Sequence, residues 1–314
     1  MNIEKSTPLV TMLIGIPGSG KSTYAQKCAS LDSNVRVFSS DQYRLKLYGD
    51  ENDQTHNNEV FTAMYKDIRE AYAEGFDIII DATNLSFKDR ERTRNSLRGI
   101  PIDRCVILAI PVSECINRDK NRSRTVGKDV IKRLVCKFEI PTYDEFTEVL
   151  VYDGGNDYAD VATIVEQMNE FEQHNPHHIY PVGIHCLKVA SQFPRGSLLY
   201  KAGLWHDVGK MFTQTFDENG IGHYYQHANY STYFMLCYSN LLGCENFTEV
   251  FEVLFYINQH MHIRDILKSN NAIKRYKMLW GEERFNNLVE FNKADNAGSG
   301  TEDKYEEIKK ELTR

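Results

Sequence analysis

The first half of the chain alternates short apolar runs with amphipathic stretches. Leu9–Ile14, Val35–Phe38, Phe76–Ile80, Cys105–Ile110 and Val149–Tyr152 are rich in aliphatic and β-branched residues and predict strands. Ser22–Leu31, Glu59–Glu74 and Val130–Phe138 have the spacing and composition of helices. Buried apolar strands separated by helices predict an α/β domain, a parallel sheet with helices on both faces. After Tyr152, two glycines lie between charged residues in Asp153-Gly154-Gly155-Asn156-Asp157, a pattern that resists both ladder and helix. The expected boundary falls there, giving domains at 1–155 and 156–314. Beyond it β-branched runs vanish. Helical patterns take over at Ala159–Gln173, Tyr180–Phe193, Ser197–His206, His227–Leu242, Thr248–His260, Asn271–Leu279, Glu282–Asn296 and Glu302–Leu312, so the second domain is expected to be all-α.

Composition narrows the class. The 314 residues are 41% hydrophobic and 26% charged, which excludes a disordered chain and a collagen-like one. The longest apolar stretch, around Phe76 to Ala82, is broken by Asp77 and Asp81, far short of the ~20 residues that span a bilayer. The first residues lack a basic segment followed by an apolar one, so a cytoplasmic location is expected, or host cytoplasm if the chain is phage-encoded. Seven cysteines at scattered positions, with no Cys-x-x-Cys pair, predict reduced thiols. The net charge of −7 gives no overall basic field to attract nucleic acid. Charge is uneven, however: Arg118, Lys120, Arg122, Arg124, Lys128, Lys132 and Arg133 face only Asp119 and Asp129 between positions 118 and 133. That stretch is a candidate contact for polyphosphate or nucleic acid.

Gly15-Ile16-Pro17-Gly18-Ser19-Gly20-Lys21-Ser22 matches G-x-x-x-x-G-K-[ST] and lies between a predicted strand and a predicted helix. Its glycines let backbone N–H groups converge on phosphate oxygens, and the helix N-terminus adds a favourable dipole. Lys21 can reach the β- and γ-phosphates and Ser22 can hold Mg²⁺. Gly15, Pro17, Gly18, Ser19, Gly20, Lys21, Ser22 and Thr23 are therefore the candidate ATP-binding residues. Asp41 follows the second strand, at the sheet edge where α/β folds place ligands, and can accept a proton from an attacking hydroxyl. A lone aspartate there also serves as a helix cap. Arg44 can grip a phosphate of the acceptor by a forked contact. Asp81, Thr83 and Asn84 close the third strand as candidate substrate-binding residues, where an acidic group can organise Mg²⁺ water or anchor a moving lid, or as a plain strand-end turn. Arg118 and Arg122, spaced i, i+4, predict two guanidinium groups on one helix face over the triphosphate.

Gly15–Ser22, Ser40-Asp41-Gln42-Tyr43-Arg44, Asp81-Ala82-Thr83-Asn84-Leu85 and Arg118-x-x-x-Arg122, in this order, resemble the 5′-hydroxyl polynucleotide kinases of the bacteriophage type over residues 9–152. The resemblance implies that Lys21 and Ser22 handle phosphates and Mg²⁺, and that Asp41 is the general base on the ribose 5′-OH. It further implies that Arg44 holds the acceptor's 3′-side phosphate and that Arg118 and Arg122 are lid arginines.

Nine of the ten histidines fall after residue 173. His and Asp side chains from separate helices can converge on a divalent ion, leaving open positions for water and substrate. Here His206-Asp207 is followed by Gly209-Lys210, His185 lies upstream, and His227, His260 and Asp295 lie downstream. This ordered set resembles the HD-domain metal-dependent phosphohydrolases over residues 165–300, with His206-Asp207-x-Gly-Lys210 as the specific core. The resemblance implies His185, His206, Asp207 and Asp295 as ligands of a first ion, His227 and His260 as candidates for a second, and Lys210 as a catalytic group. The metal would be a divalent transition ion such as Mn, Ni, Co, Fe or Zn. His174, His177, His178, His223 and His262 are left outside the ligand set, with His178 and His223 the likeliest to touch substrate.

Fusions of an HD phosphohydrolase with a polynucleotide kinase occur in bacteria with the HD part first, the reverse of this chain. The combined expectation is an enzyme that heals RNA or DNA ends. It would phosphorylate 5′-OH ends with ATP and remove 2′,3′-cyclic phosphate or 3′-phosphate, with RNA the preferred substrate. The Asp-x-Asp-x-Thr/Val phosphatase motif and the Lys-x-Asp-Gly nucleotidyl-transfer motif are both missing from the sequence. Healing of the 3′ end therefore falls to the HD part and sealing to a separate ligase. Two other readings stay open: a nucleoside or sugar kinase fused to an HD nucleotidase, and a nucleotide-binding sensor with a regulatory HD half.

Overall fold

The structure, a computed structural model, describes residues 7–122, 125–142, 145–153 and 161–299. The chain divides into two compact units, Met1–Val135 with Pro141–Asn156, and Cys136–Ile140 with Asp157–Arg314.

The first unit is an α/β sandwich. Its five strands are β1 (Val10–Ile14), β2 (Val35–Ser39), β3 (Asp77–Asp81), β4 (Arg104–Leu108) and β5 (Glu148–Tyr152). They form one all-parallel sheet in the order β2-β3-β1-β4-β5. Every residue of β1 is buried, as expected of a central strand covered on both faces. Around the sheet lie α1 (Lys21–Leu31), α2 (Ser40–Tyr48), α3 (Asn57–Glu74), α4 (Phe87–Ser96), α5 (Val112–Lys120) and α6 (Lys128–Val135). On one face, Leu13, Ile79, Val106 and Leu108 pack against Ala25 of α1. The order reverses on either side of β1, so the loop leaving β1 opens at the carboxyl edge of the sheet, where such folds bind ligands.

The expected strands all form, within one or two residues of their predicted ends. The helices differ more. The helix expected over Val130–Phe138 runs over Lys128–Val135. Phe138 belongs instead to the helical unit, where its fully buried ring meets Tyr233 edge-on at 5.2 Å. α5 ends at Lys120, with Asn121 at its C-cap, so Arg122 lies past the helix and does not share a helix face with Arg118. This corrects the i, i+4 expectation.

The second unit contains α7 (Val161–Glu170), α8 (Val182–Ala190), α9 (Leu198–Trp205), α10 (Lys210–Thr213), α11 (His227–Cys237), α12 (Phe247–Gln259), α13 (His262–Ile266), α14 (Asn270–Trp280) and α15 (Glu282–Gly298). A 3₁₀ turn over Ser239–Leu242 takes the end of the helix expected to reach Leu242. The unit is not purely helical: β6 (Thr215–Phe216) and β7 (Gly222–His223) pair as a two-residue antiparallel hairpin. The expected helix over Glu302–Leu312 lies outside the described residues, as do Arg124 and the paired glycines at 154 and 155. No helix among the described residues is long and apolar enough to cross a membrane, and all seven cysteines are free.

Candidate functional sites

In the α/β unit, β1 feeds Gly15–Gly20 into the N-terminus of α1. Gly18 and Gly20 have φ of 83° and 92°, the left-handed region that side chains avoid. A Cβ on Gly18 would lie 2.4 Å from the Cys115 carbonyl oxygen, so the loop passes against α5 only because the residue is glycine. Lys21 is buried and donates from Nζ to the Ile16 carbonyl at 3.0 Å, across the mouth of the loop. Burial pulls its amine below the usual lysine range, against the opposing pull of Asp81 and Asp41. Ser22 Oγ donates to Asp81 Oδ2 at 2.8 Å, bringing a hydroxyl and a carboxylate together where a magnesium ion of a bound nucleotide takes its protein ligands. Ser19 Oγ is buried without a hydrogen-bond partner. Such an orphaned hydroxyl inside a Gly-rich cradle fits a phosphate acceptor, so the residues present suit ATP and Mg²⁺.

The acceptor-side residues are partly engaged with one another. Asp41 sits in the first turn of α2, half-exposed, and its Oδ1 accepts from Arg44 Nη1 at 2.9 Å. Arg44, largely buried, also donates to Asn57 Oδ1 at 2.7 Å. Asn84 turns inward: its amide donates to the Leu13 carbonyl at 2.8 Å, while the Thr83 carbonyl accepts from Gly15 N–H at 3.1 Å. These two residues brace the phosphate loop from behind. Arg118 reaches within 3.9 Å of the Cβ position of Gly20 and pairs with Glu114 at 2.7 Å.

Two positions of the α/β unit escaped the sequence reading. Asp119, almost fully buried, pairs with Arg122 and accepts from the N–H groups of Val126 and Gly127, at 3.1 and 2.9 Å, fixing the loop that carries Arg122. Burial alone would raise its carboxyl, but the Gly127 and Val126 amides and the Arg122 guanidinium outweigh that and hold it below the ordinary range. Arg90, wholly buried, forms a two-pronged pair with Glu145 at 2.7 and 2.9 Å and donates to the Leu85 carbonyl at 3.0 Å, just behind the Asp81 turn.

In the helical unit, His185 comes from α8, His206 and Asp207 from the end of α9, His227 from the start of α11, His260 from the end of α12 and Asp295 from α15. All six are buried and their ligand atoms converge. Asp207 divides its carboxylate: Oδ2 lies 3.3 Å from His185 Nε2 and 3.4 Å from His206 Nε2, while Oδ1 lies 3.0 Å from His227 Nε2 and 3.7 Å from His260 Nε2. Asp295 Oδ1 closes the first group at 3.1 Å from His185 Nε2 and 3.6 Å from His206 Nε2.

The second nitrogens of three of the four histidines are committed elsewhere, while Nδ1 of His185 is buried without a hydrogen-bond partner. Nδ1 of His206, His227 and His260 lies 2.9, 2.7 and 2.7 Å from the carbonyls of Gly203, Tyr224 and Ile257. A proton held on Nδ1 leaves the Nε2 lone pair free to ligate, which is the outer-shell pattern of metal-binding histidines. Burial disfavours charge on His185, but Asp207 and Asp295 overcome it and lift its pKa to about 9. Burial keeps His206 and His227 below the ordinary range. Two buried carboxylates and four imidazoles with converging ligand atoms form a donor set that fits a divalent transition ion.

The chain path that assembles this centre depends on close contacts. A Cβ on Gly209 would lie 2.3 Å from the His227 carbonyl oxygen, so the glycine of His206-Asp207-x-Gly-Lys210 lets α11 approach Asp207. Beside the centre opens a cavity of about 230 Å³ whose wall includes Lys210, His178, His223, Arg264, Tyr224 and Asn175. Lys210 Nζ lies 2.7 Å from Asp207 Oδ2 and donates to Gln173 Oε1 at 2.8 Å. Burial and the nearby Lys210 ammonium drive the His178 imidazole down to about 3, and its buried Nδ1 has no hydrogen-bond partner. Arg264, missed in the sequence, donates to the outer oxygen of Asp295 at 2.6 Å. Its only signal there is a cation four positions after His260. His174, His177 and His262 do not line this cavity.

Residues 10–141 match a family model described as an AAA domain. Among solved structures the chain is similar to a chain of the Pnkp1/Rnl/Hen1 RNA repair complex, at 23% identity over 51% of this chain and 54% of that one, with a TM-score of 0.39. A second Pnkp1/Rnl/Hen1 structure is similar at 24% identity, 40% and 44% coverage and a TM-score of 0.34. A gluconokinase from Sinorhizobium meliloti 1021 is similar at 16% identity, 48% and 85% coverage and a TM-score of 0.35. The chain thus spans about half the length of the RNA-repair chains it matches. No curated protein sequence matches it.

Proposed function

We propose that the protein heals broken nucleic-acid ends, RNA above all, with an ATP-dependent 5′-hydroxyl kinase in the α/β unit and an HD-type metal-dependent phosphohydrolase in the helical unit. One observation supports this reading: a single chain carries a glycine-rich loop with Ser22 on Asp81 and, in a separate unit, a buried imidazole–carboxylate cluster divided by Asp207.

In the kinase half, the acceptor 5′-oxygen forms a bond to the γ-phosphorus as the bond to the β–γ bridging oxygen breaks and ADP leaves. Asp41 takes the hydroxyl proton, and Arg44, which orients Asp41 at 2.9 Å, also meets the acceptor's own phosphate. Lys21, Arg118 and Arg122 offset the charge that spreads over the transferred group. In the hydrolase half, a divalent ion, when bound, would supply Lewis acidity toward phosphorus and a more acidic water. His185, His206, Asp207 and Asp295 would hold one ion, with His227 and His260 available to a second. Lys210 and Arg264 supply positive charge to a phosphoester in the adjoining cavity, and His178 offers it a neutral imidazole. The product ends, 3′-OH and 5′-phosphate, are those a separate ligase consumes.

The test is end-group analysis of an RNA bearing 5′-OH and 2′,3′-cyclic phosphate, incubated with ATP and a panel of Mg, Mn, Ni, Co and Zn. Asp41→Ala should abolish 5′ labelling while sparing 3′-end hydrolysis, and His206→Ala should do the reverse. Loss of both activities from either change in folded protein contradicts two independent sites.

A further inference from the structure

The one histidine outside the C-terminal cluster, His56, is stacked on Tyr48, with ring centroids 4.1 Å apart and planes 13° from parallel. Several local features hold the pair. Tyr48 is the last residue of α2, and Gly49, at φ 74°, donates back to the Leu45 carbonyl and turns the chain. Asp53 then accepts from Thr55 N–H at 2.7 Å and Thr55 Oγ1 at 2.6 Å, and its other oxygen lies 2.7 Å from His56 Nδ1. This brings the imidazole back over the phenol. Both rings remain open to solvent, Tyr48 at 37% exposure and the His56 side chain at 46%.

The position matters more than the stack. Asp41, Arg44 and Tyr48 fall at i, i+3 and i+7, one face of α2. His56 is followed directly by Asn57, the residue that holds Arg44 at 2.7 Å. The four-residue step from Arg44 to Tyr48 advances about 6 Å along the helix, the scale of one nucleotide. Asp53 and Glu59 lie close to the pair, which disfavours a phosphate there and suits the uncharged face of a base.

We propose that Tyr48 and His56 form a stacking platform for the second nucleobase of a polynucleotide acceptor whose first 3′-side phosphate is held at Arg44. This rests on the kinase reading and deepens it: the acceptor is a strand, and the platform selects it over a single nucleoside or sugar. Base stacking on aromatic side chains tolerates any sequence, so the platform gives affinity for a strand without reading its code.

The experiment compares two acceptors for the full-length protein: a 5′-OH oligonucleotide of several residues, and a nucleoside 3′-monophosphate, which reaches Arg44 but has no second base. Tyr48→Ala should raise KM for the oligonucleotide roughly tenfold or more, leave kcat nearly unchanged, and leave both constants for the monophosphate unchanged. Tyr48→Phe and Tyr48→Trp should retain oligonucleotide KM, Tyr48→Leu should not, and His56→Ala should raise it by a smaller factor. Equal losses on both acceptors, or none on either, overturn the platform. If the unaltered protein phosphorylates no 5′-OH acceptor, the kinase reading fails and the platform with it. If it does so and Tyr48→Ala is silent, only the platform fails.

Discussion

Ser22 Oγ donates to Asp81 Oδ2 at 2.8 Å, joining the first turn of α1 to the end of β3 across 59 residues of chain. The bond fixes a hydroxyl and a carboxylate at the mouth of the phosphate loop. Asp81→Asn keeps the shape and removes the charge that would draw the cation of a bound nucleotide. Kinase turnover should fall about a hundredfold or more, with a raised magnesium requirement, in a γ-labelled ATP assay. Hydrolysis of a 3′-phosphate end should be unchanged, and a parallel loss of both would refute the assignment of Asp81 to one site.

Asp119 links burial, loop order and Arg122. Asp119→Ala removes the acceptor of the Val126 and Gly127 N–H groups and the partner of Arg122, a cost of about 1–3 kcal/mol. Kinase kcat should drop roughly tenfold with little change in KM for ATP. The sign of its pH dependence follows from a carboxyl held below its ordinary value of 3.8. The stability it contributes is complete above that value and is lost as pH falls through the lower folded one. Acid titrations of wild type and Asp119→Asn should therefore converge at the acid end and diverge above pH 4.

Arg90 is wholly buried against Glu145, which also pairs with Arg94 at 3.5 Å. Glu145→Ala strips the guanidinium of its carboxylate and should cost about 3–5 kcal/mol, read as a lowered Tm by calorimetry. An unchanged melting curve would mean that Arg90 finds another anion or reaches water.

The helical unit should respond to metal. Dialysis against a chelator should lower the Tm of one unfolding transition, and Mn, Ni, Co, Fe or Zn should restore it, because a cation bound only by the folded state stabilises it by mass action. Gly209→Ala sets a methyl 2.3 Å from the His227 carbonyl. The overpacking should cost about 1–3 kcal/mol and reduce the metal content of purified protein, measured by elemental analysis. Full metal occupancy in that variant would show that α11 can yield.

Much of this was legible in the sequence, for reasons that differ by element. The strands were readable because five short runs are rich in aliphatic and β-branched residues, and the P-loop because its glycines, Lys21 and Ser22 stand together in the chain. The imidazoles and carboxylates of the helical unit were legible as a set, since six such groups in one order are hard to assemble by accident. What failed to show was set by local competition. α4 reads as Phe-Lys-Asp-Arg-Glu-Arg-Thr-Arg-Asn-Ser, a charged run whose helix is started by the Ser86 cap and anchored by buried Arg90, neither visible as periodicity. Arg122 left the expected helix face because α5 ends at Lys120, with Asn121 at its C-cap, and Asp119 holds both Arg122 and the N–H groups of Val126 and Gly127. The hairpin at 215–223 has only two residues per strand, too few for alternation to register.

Phe138 illustrates a further cost of reading domains along a line. Its ring is seated against Tyr233, and the Cys136 and Phe138 carbonyls accept from Asn229 and Asn258. Yet those five residues lie between α6 and β5 in the chain. A fragment beginning after the paired glycines would lack a core aromatic and leave two amides without their acceptors. Expression of residues 156–314 alone should therefore give a less soluble product than the full-length chain, measured by the fraction left in the supernatant.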